Sequence, residues 1–176
     1  PTYMPDASPD FRTHARTTVA ALDWRGPLAA GLQGSARASR SVDDASNGGN
    51  QTDRFRTTRQ QVQAQVAWQT GVLGQLVAAL ENNDDRATST SYTAGAQRRN
   101  SAVALELTGN AAAFSWQADL RRDHSNDFGG VTTGRLGGGV TLLPGLRLRA
   151  LAGNTFSAPS FNDLYYPGYG VATLRP

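Results

Sequence analysis

The sequence predicts an all-β chain, about eight strands of an antiparallel, up-and-down transmembrane β-barrel. Three observations predict it. Short runs alternate apolar and polar residues, the period of a strand with one greasy and one wetted face. The gaps between runs switch between tight turns (Gly26-Pro27, 70–74, Gly109-Asn110, Leu143-Pro144-Gly145) and long polar loops (43–54, 83–98, 122–133). Short turns on the periplasmic side and long loops outside are the hairpin pattern of outer-membrane barrels. A hydrophobic fraction of 39% and a mean hydropathy of −0.44 suit a wall that is apolar on alternate residues only, and no run approaches the roughly 20 apolar residues of a membrane helix.

The predicted strands cover residues 13–25, 28–41, 56–69, 75–82, 99–108, 114–122, 132–142 and 146–156, each near the 9–11 residues that a tilted membrane strand needs. The first ends with Trp24 beside the Gly26-Pro27 turn. The second sets Leu28, Ala30, Leu32, Ala36 and Ala38 against Gln33, Ser35, Arg37 and Ser39. The third sets Val62, Ala64, Val66 and Trp68 against Gln61, Gln63 and Gln65. In the fourth, Leu76, Ala78 and Leu80 run quickly into Asn82 and Asp84, so a bulge or a short strand is expected. The fifth is bounded by Arg99 and the Gly109-Asn110 turn. The sixth sets Phe114, Trp116, Ala118 and Leu120 against Ser115, Gln117, Asp119 and Arg121. The seventh carries Gly134 and Gly137-Gly138-Gly139, where strand bending is the plainer reading and close approach of an interior element the other. The eighth sets Leu146, Leu148, Ala150 and Ala152 against Arg147 and Arg149.

Apolar faces should meet lipid and polar faces the lumen. Trp24, Trp68 and Trp116 share the apolar parity close to tight turns, where a periplasmic girdle would put them because indole prefers the headgroup level. The core of a soluble sandwich is the alternative. Arg16, Arg40, Arg99 and Arg122 share the lipid parity but lie far from the tight turns, at an outer rim where they can snorkel. By parity Glu106, Asp119, Arg121, Arg147 and Arg149 face the lumen, either holding an interior domain and lining a substrate path or forming a wetted wall.

Composition removes several chemistries. Without cysteine there are no disulfides, thiolate metal sites or cysteine nucleophiles. All 17 basic residues are arginines, scattered rather than clustered, so nucleic acid is not an expected partner. His14 at an outer rim and His124 in an outer loop lack companions at metal or serine–base spacing, so no catalytic residue, metal site or cofactor is expected and the chain is not read as an enzyme. Asp43-Asp44 and Asp84-Asp85 offer hard oxygens for calcium, but solvated loop turns are the commoner use of such residues. The opening Pro1-Thr2-Tyr3-Met4-Pro5 has no basic n-region or apolar h-region, so no signal peptide is read there and the chain is expected to be an internal piece of a longer exported protein.

The segments Arg121-Arg122-Asp123-His124-Ser125-Asn126-Asp127-Phe128-Gly129-Gly130 and Thr155-Phe156-Ser157-Ala158-Pro159-Ser160-Phe161-Asn162-Asp163-Leu164-Tyr165-Tyr166-Pro167-Gly168 resemble the barrel of TonB-dependent outer-membrane receptors. Within these the chain looks most like the cobalamin (vitamin B12) receptor branch. The closing Gly170-Val171-Ala172-Thr173-Leu174-Arg175-Pro176 keeps the family's Leu-x-Pro but lacks the Asn-Pro that usually precedes it. The resemblance implies residues 1–176 as part of a barrel of about 22 strands with a plugged lumen, running from an outer loop at Pro1 to another at Pro176. The plug is expected to lie outside this chain. The resemblance further implies an outer-membrane location, outer-membrane lipid as a partner, TonB reached through the missing plug, and high-affinity, TonB-energised uptake of cobalamin. A siderophore or haem receptor is the alternative within the family, and a self-contained eight-stranded structural barrel or adhesin the alternative outside it. Phe161, Asn162, Tyr165, Tyr166 and Tyr169 are the candidate ligand-binding residues, flat apolar groups with polar handles at a mouth, and an outer aromatic girdle explains them as well.

Overall fold

A computed structural model describes residues 12–48, 53–91 and 96–174. It contains one antiparallel sheet of eight strands in sequence order. These are β1 (Arg12–Ala29), β2 (Leu32–Gly48), β3 (Asp53–Gln69), β4 (Gln75–Ser89), β5 (Ala96–Ala111), β6 (Phe114–Ser125), β7 (Gly129–Leu143) and β8 (Leu146–Gly153), followed by a short helix α1 (Phe161–Tyr165). The loop ends expected at Pro1 and Pro176 lie outside the described residues. β1 and β8 stand at the two ends of the strand order and do not pair with each other, so a closed eight-stranded barrel is not the observed arrangement.

Register turns the sequence alternation into two unlike faces. Leu32, Trp68, Leu76, Leu107, Ala118, Leu136 and Ala152 are paired strand to strand in one row on one side. On the other side Asp23, Arg37, Gln63, Glu81, Ala102 and Asp123 form a comparable row. Exposure is inverted relative to a protein folded in water: Leu22 is 76% and Leu136 68% exposed, whereas Asp123 is 2% exposed. An exposed apolar face spanning a whole sheet requires apolar surroundings. Trp24 and Trp68 are half exposed on that face, which excludes a sandwich core built around them.

Three expectations about connections are corrected. First, the segments expected as long polar loops are mostly strand. β2 and β3 stay in register out to Asn47 and Asp53, β4 pairs β5 out to Ala87 and Ala96, and β6 and β7 are joined by Asn126–Phe128 alone. Asp, Asn, Ser and Thr favour turns in isolation, but here they make cross-strand pairs that extend the ladder: Thr13 and Thr17 donate to Asn47 and Asp43 at 3.0 and 2.7 Å, and Asn82 donates to Ser101 at 2.8 Å. Consequently His124 lies on β6 opposite Ser101 and Gly130 rather than in a loop. The aspartates of Asp43-Asp44 and Asp84-Asp85 are likewise strand residues on opposite faces.

Second, β4 has neither a bulge nor a short run, since its pairing with β3 is unbroken from Gln75 to Ser89. Third, two of the four tight turns sit elsewhere. Those at Gly71–Leu73 and Pro144-Gly145 are as expected. The others fall at Ala30-Gly31 and Ala112-Ala113. Gly26 pairs with Gly34, where a Cβ would meet Leu28 and Trp24 at 3.0 Å, and Pro27 adjoins the irregularity between Pro27 and Ala29. Gly109 is bare because the Trp116 ring crosses it, with a Cβ there falling 2.5 Å from the indole. The adjacent turn instead uses Ala112 at φ 50°.

The face assignment has a direct energetic consequence. In a membrane-inserted polypeptide carrying this sequence, Leu80→Arg should cost about 2–4 kcal/mol and Gln65→Arg, on the opposite face, about 1 kcal/mol or less. Denaturant unfolding from lipid vesicles measures both, and equal costs would contradict the assignment.

Candidate functional site

Below the polar hairpin tops the apolar face has no charged side chain among the described residues: Val62 to Trp68, Leu76 to Leu80, Val103 to Leu107 and Phe114 to Leu120 contribute only apolar residues to it. Above it the same face carries Arg12, Arg16, Arg40, Arg54, Arg56, Arg86, Arg99 and Arg122 with two carboxylates, Asp44 and Asp84. Asp44 pairs with Arg54, and Asp84 accepts from Arg86 at 3.1 Å and Arg99 at 3.2 Å.

The polar face is charge-balanced by contrast. Arg121 bridges Glu81 at 2.7 Å and Asp123 at 2.9 Å, and Asn100 donates to Asp123 at 2.9 Å. Arg135 pairs with Asp119 at 2.9 Å, and Arg59 with Asp85 at 2.7 Å. Glu106 is paired opposite Asp119. Arg147 donates to the Ser115 hydroxyl, and with Arg149 it borders a recess of about 710 Å³ that Gln69, Gln75 and Gln117 also line, at the tight-turn end. Glu106, Asp119, Arg121, Arg147 and Arg149, read from the sequence as facing the lumen, share this polar face of the sheet. The space above Gly137 and Gly139 is taken by Leu151, Ser115, Arg147 and Arg149, so neighbouring side chains account for these two glycines.

The three indoles lie on the apolar face. Trp116 donates its ring N–H to the Leu73 carbonyl at 3.1 Å, tying the β5–β6 hairpin to the next turn. Gly74 and Gly109 leave room for that approach, a Cβ on Gly74 falling 2.2 Å from the Thr108 carbonyl oxygen.

Beyond β8 the chain folds back over the polar face at the end away from the tight turns. Asn154 starts this by clasping β7: its side-chain oxygen accepts from Gly134 N–H at 2.8 Å and its amide donates to Thr132 at 3.2 Å. Arg98 then acts as the anchor. It donates to Asp127 at 2.7 Å and to the Pro159 carbonyl at 2.8 Å, and its guanidinium lies 5.1 Å from the Phe161 ring centroid. A guanidinium can bond two acceptors in its plane while offering its face to an aromatic ring. Phe161 packs, with Phe55, on the buried pair Ala87 and Ala96, and Phe156 meets Phe128 at 5.4 Å.

A capping box opens α1. The Ser160 hydroxyl accepts from Asp163 N–H at 3.2 Å and the Asp163 carboxylate from Ser160 N–H at 2.7 Å. Hydrogen bonds from the Ser160 side chain, then its backbone, hold the Asp163 carboxyl below its ordinary pKa. Leu164 is buried, and Gly170 closes the segment by donating to the Tyr166 carbonyl at 2.7 Å.

The five residues expected to bind ligand are thus divided. Phe161 faces inward as part of the anchor. Asn162 and Tyr165 are exposed, the Tyr165 ring lying 6.3 Å from that of Phe161, and Tyr166 and Tyr169 are exposed and stacked with centroids 5.2 Å apart. Arg98, Phe128, Phe156 and Asn154 were missed by sequence reasoning. The Ser160-x-x-Asp163 spacing was a legible sign of the cap, whereas nothing local marks Arg98. Chemically the segment presents flat aromatic area with hydroxyls, suited to a large amphipathic molecule.

Comparison with known proteins places this architecture. The family described as TonB dependent receptor-like, beta-barrel, matches residues 3–176. The vitamin B12 transporter BtuB of Photobacterium profundum is 34% identical over 89 residues, 51% of this chain and 14% of that protein. The vitamin B12 transporter BtuB of Vibrio vulnificus is 38% identical over 60 residues, 34% of this chain and 10% of its own length. The crystal structure of the siderophore receptor PirA from Pseudomonas aeruginosa superposes with a TM-score of 0.55 at 16% identity, over 82% of this chain and 42% of that one. The matches to the curated relatives thus span about a seventh of their length or less. The chain belongs to the TonB-dependent receptor β-barrel family.

Removing the anchor should release the returning segment. Arg98→Ala is expected to speed amide exchange across residues 160–171 by roughly 10- to 100-fold, the scale of a charge-assisted bond worth about 1.5–3 kcal/mol. Arg98→Lys should recover only part of it, since an ammonium has no planar fork. Unchanged exchange in Arg98→Ala would contradict the anchoring role.

Proposed function

We propose that this chain forms part of the wall and one outer-end segment of an outer-membrane receptor that takes up cobalamin with energy delivered by TonB. The observation that carries the reading is the family match over nearly the whole chain, joined to partial matches with transporters named for vitamin B12. In this reading the apolar face meets lipid, the tight turns are periplasmic, and the three indoles form a girdle at that interface, where their N–H groups find polar partners. Among the described residues the outer edges of β1 and β8 have no partner strand, and such edges cannot face hydrocarbon, because backbone groups there have no water to bond. Further strands of a barrel of about 22 would pair them.

Capture begins on the outer side. Tyr165, Tyr166 and Tyr169 supply stacking area and hydroxyls, and Asn162 an amide, while the anchor at Arg98 holds α1 so that little ordering entropy remains to be lost on binding. The polar face then serves two ends. Its balanced network at Glu81, Arg121 and Asp123 keeps the wall wettable without a strong field of one sign. Arg147 and Arg149, with Glu106 and Asp119, provide charged contacts for a plug seated against the wall. A TonB-driven displacement of that plug would open the path along this face.

A receptor carrying this sequence should bind cobalamin with a dissociation constant well below about 1 μM, corresponding to more than about 8 kcal/mol, and should bind ferric siderophores more weakly. Tyr166→Ala and Tyr169→Ala should each weaken cobalamin binding about 2- to 10-fold, the range of an aromatic contact. Micromolar or weaker cobalamin affinity, or tighter siderophore binding, would overturn the substrate assignment.

A further inference from the structure

Charge is distributed unequally between the two faces, and the inequality points to a second partner. The polar face intersperses arginines and carboxylates, and most close ion pairs there. The apolar face has only Asp44 and Asp84 among its arginines within the described residues, and both are already engaged by Arg54, Arg86 and Arg99. Arg16, Arg40 and Arg122 are exposed and have no carboxylate partner among the described residues, Arg122 giving one N–H to Thr132 at 2.7 Å. Arg40 stands eight residues beyond Leu32, where β2 begins, and Arg122 eight beyond Phe114, where β6 begins. Both therefore sit at the same height, at the upper border of the charge-free band. Eight strand residues span about 27 Å along the chain, or about 20 Å across a membrane once strand tilt is included. Their guanidinium groups consequently emerge at headgroup level.

We propose that this rim, centred on Arg16, Arg40 and Arg122, binds anionic phosphate headgroups of the lipid leaflet on the polar-hairpin side. Charge complementarity identifies the occupant: a cationic row with its own carboxylates used up, continuous with a lipid-facing band, meets phosphate before it meets anything else. The exclusive use of arginine fits the same partner, since guanidinium bonds phosphate oxygens through two parallel N–H groups where an ammonium acts as a point charge. A purely solvated rim would be served by either sign of charge. The proposal rests on the membrane reading of the apolar face.

The test uses a receptor carrying this sequence, reconstituted in phosphatidylcholine vesicles with and without phosphatidylglycerol. Tryptophan quenching by brominated lipid reports insertion, and spin-labelled lipids report the preference of the protein for each headgroup. Roughly a threefold or greater preference for phosphatidylglycerol is expected at moderate ionic strength. It should fall to near unity in the triple variant Arg16→Gln, Arg40→Gln, Arg122→Gln. The polar-face variant Arg25→Gln should keep it. Inorganic phosphate at matched ionic strength should not abolish it, and abolition would assign the rim to soluble anions instead. Insertion with no preference, or a preference untouched by the triple variant, overturns the proposal while leaving the membrane reading intact. Absence of quenching overturns both.

Discussion

Everything in this structure depends on an unbroken backbone ladder that keeps odd and even side chains on opposite faces. In hydrocarbon no water can satisfy a peptide group, so each strand must find its partners in its neighbours. From β2 to β7 the pairing runs without a register shift, over five successive ladders. Because the side-chain period is two, a slip of one residue in β3 would present Gln61, Gln63 and Gln65 where Val62, Ala64 and Val66 now stand. The two irregularities, between Pro27 and Ala29 and between Thr141 and Leu143, fall beside tight turns of the outermost hairpins, where they re-aim a few residues without inverting a strand.

That same parity made much of the fold legible in advance. β3, β6 and β8 read directly because apolar and polar residues alternate over Val62 to Val66, Phe114 to Arg121 and Leu146 to Ala150. The hairpin tops did not, since Asp43, Asn47, Asn83 and Ser101 are turn-formers by local preference and become strand residues only through cross-strand partners. Glycine was the other source of error. Gly26 and Gly109 looked like turn residues, yet Gly34, facing Gly26, and Gly109 leave space for indole rings, a need invisible until the Trp24 and Trp116 rings are placed. The turn at Ala112 has a positive φ without glycine, asparagine or aspartate at that position, so no turn rule selects it.

The site was legible in two different degrees. Parity alone put Glu106, Asp119, Arg121, Arg147 and Arg149 on the polar face, because orientation in a strand is a local property. The fold-back of α1 is not local. Its anchor joins Arg98 to Asp127 and Pro159, residues 29 and 61 positions away, and long-range pairs of this kind leave no periodic trace. Phe161 shares the aromatic chemistry of the tyrosines that follow it, and its packing on Ala87 and Ala96 joins residues too distant in sequence to leave a local pattern. The family is fixed by the match over residues 3–176.

A nitroxide scan of β3 in lipid vesicles tests the central claim most directly. Probes placed one at a time from residue 61 to residue 66 report collisions with membrane-dissolved oxygen and with a water-soluble nickel chelate. Positions 62, 64 and 66 should favour oxygen and positions 61, 63 and 65 the chelate, alternating at every residue. A smooth gradient along the strand, or chelate access at all six positions, would contradict a wall with one face in lipid and the other in water.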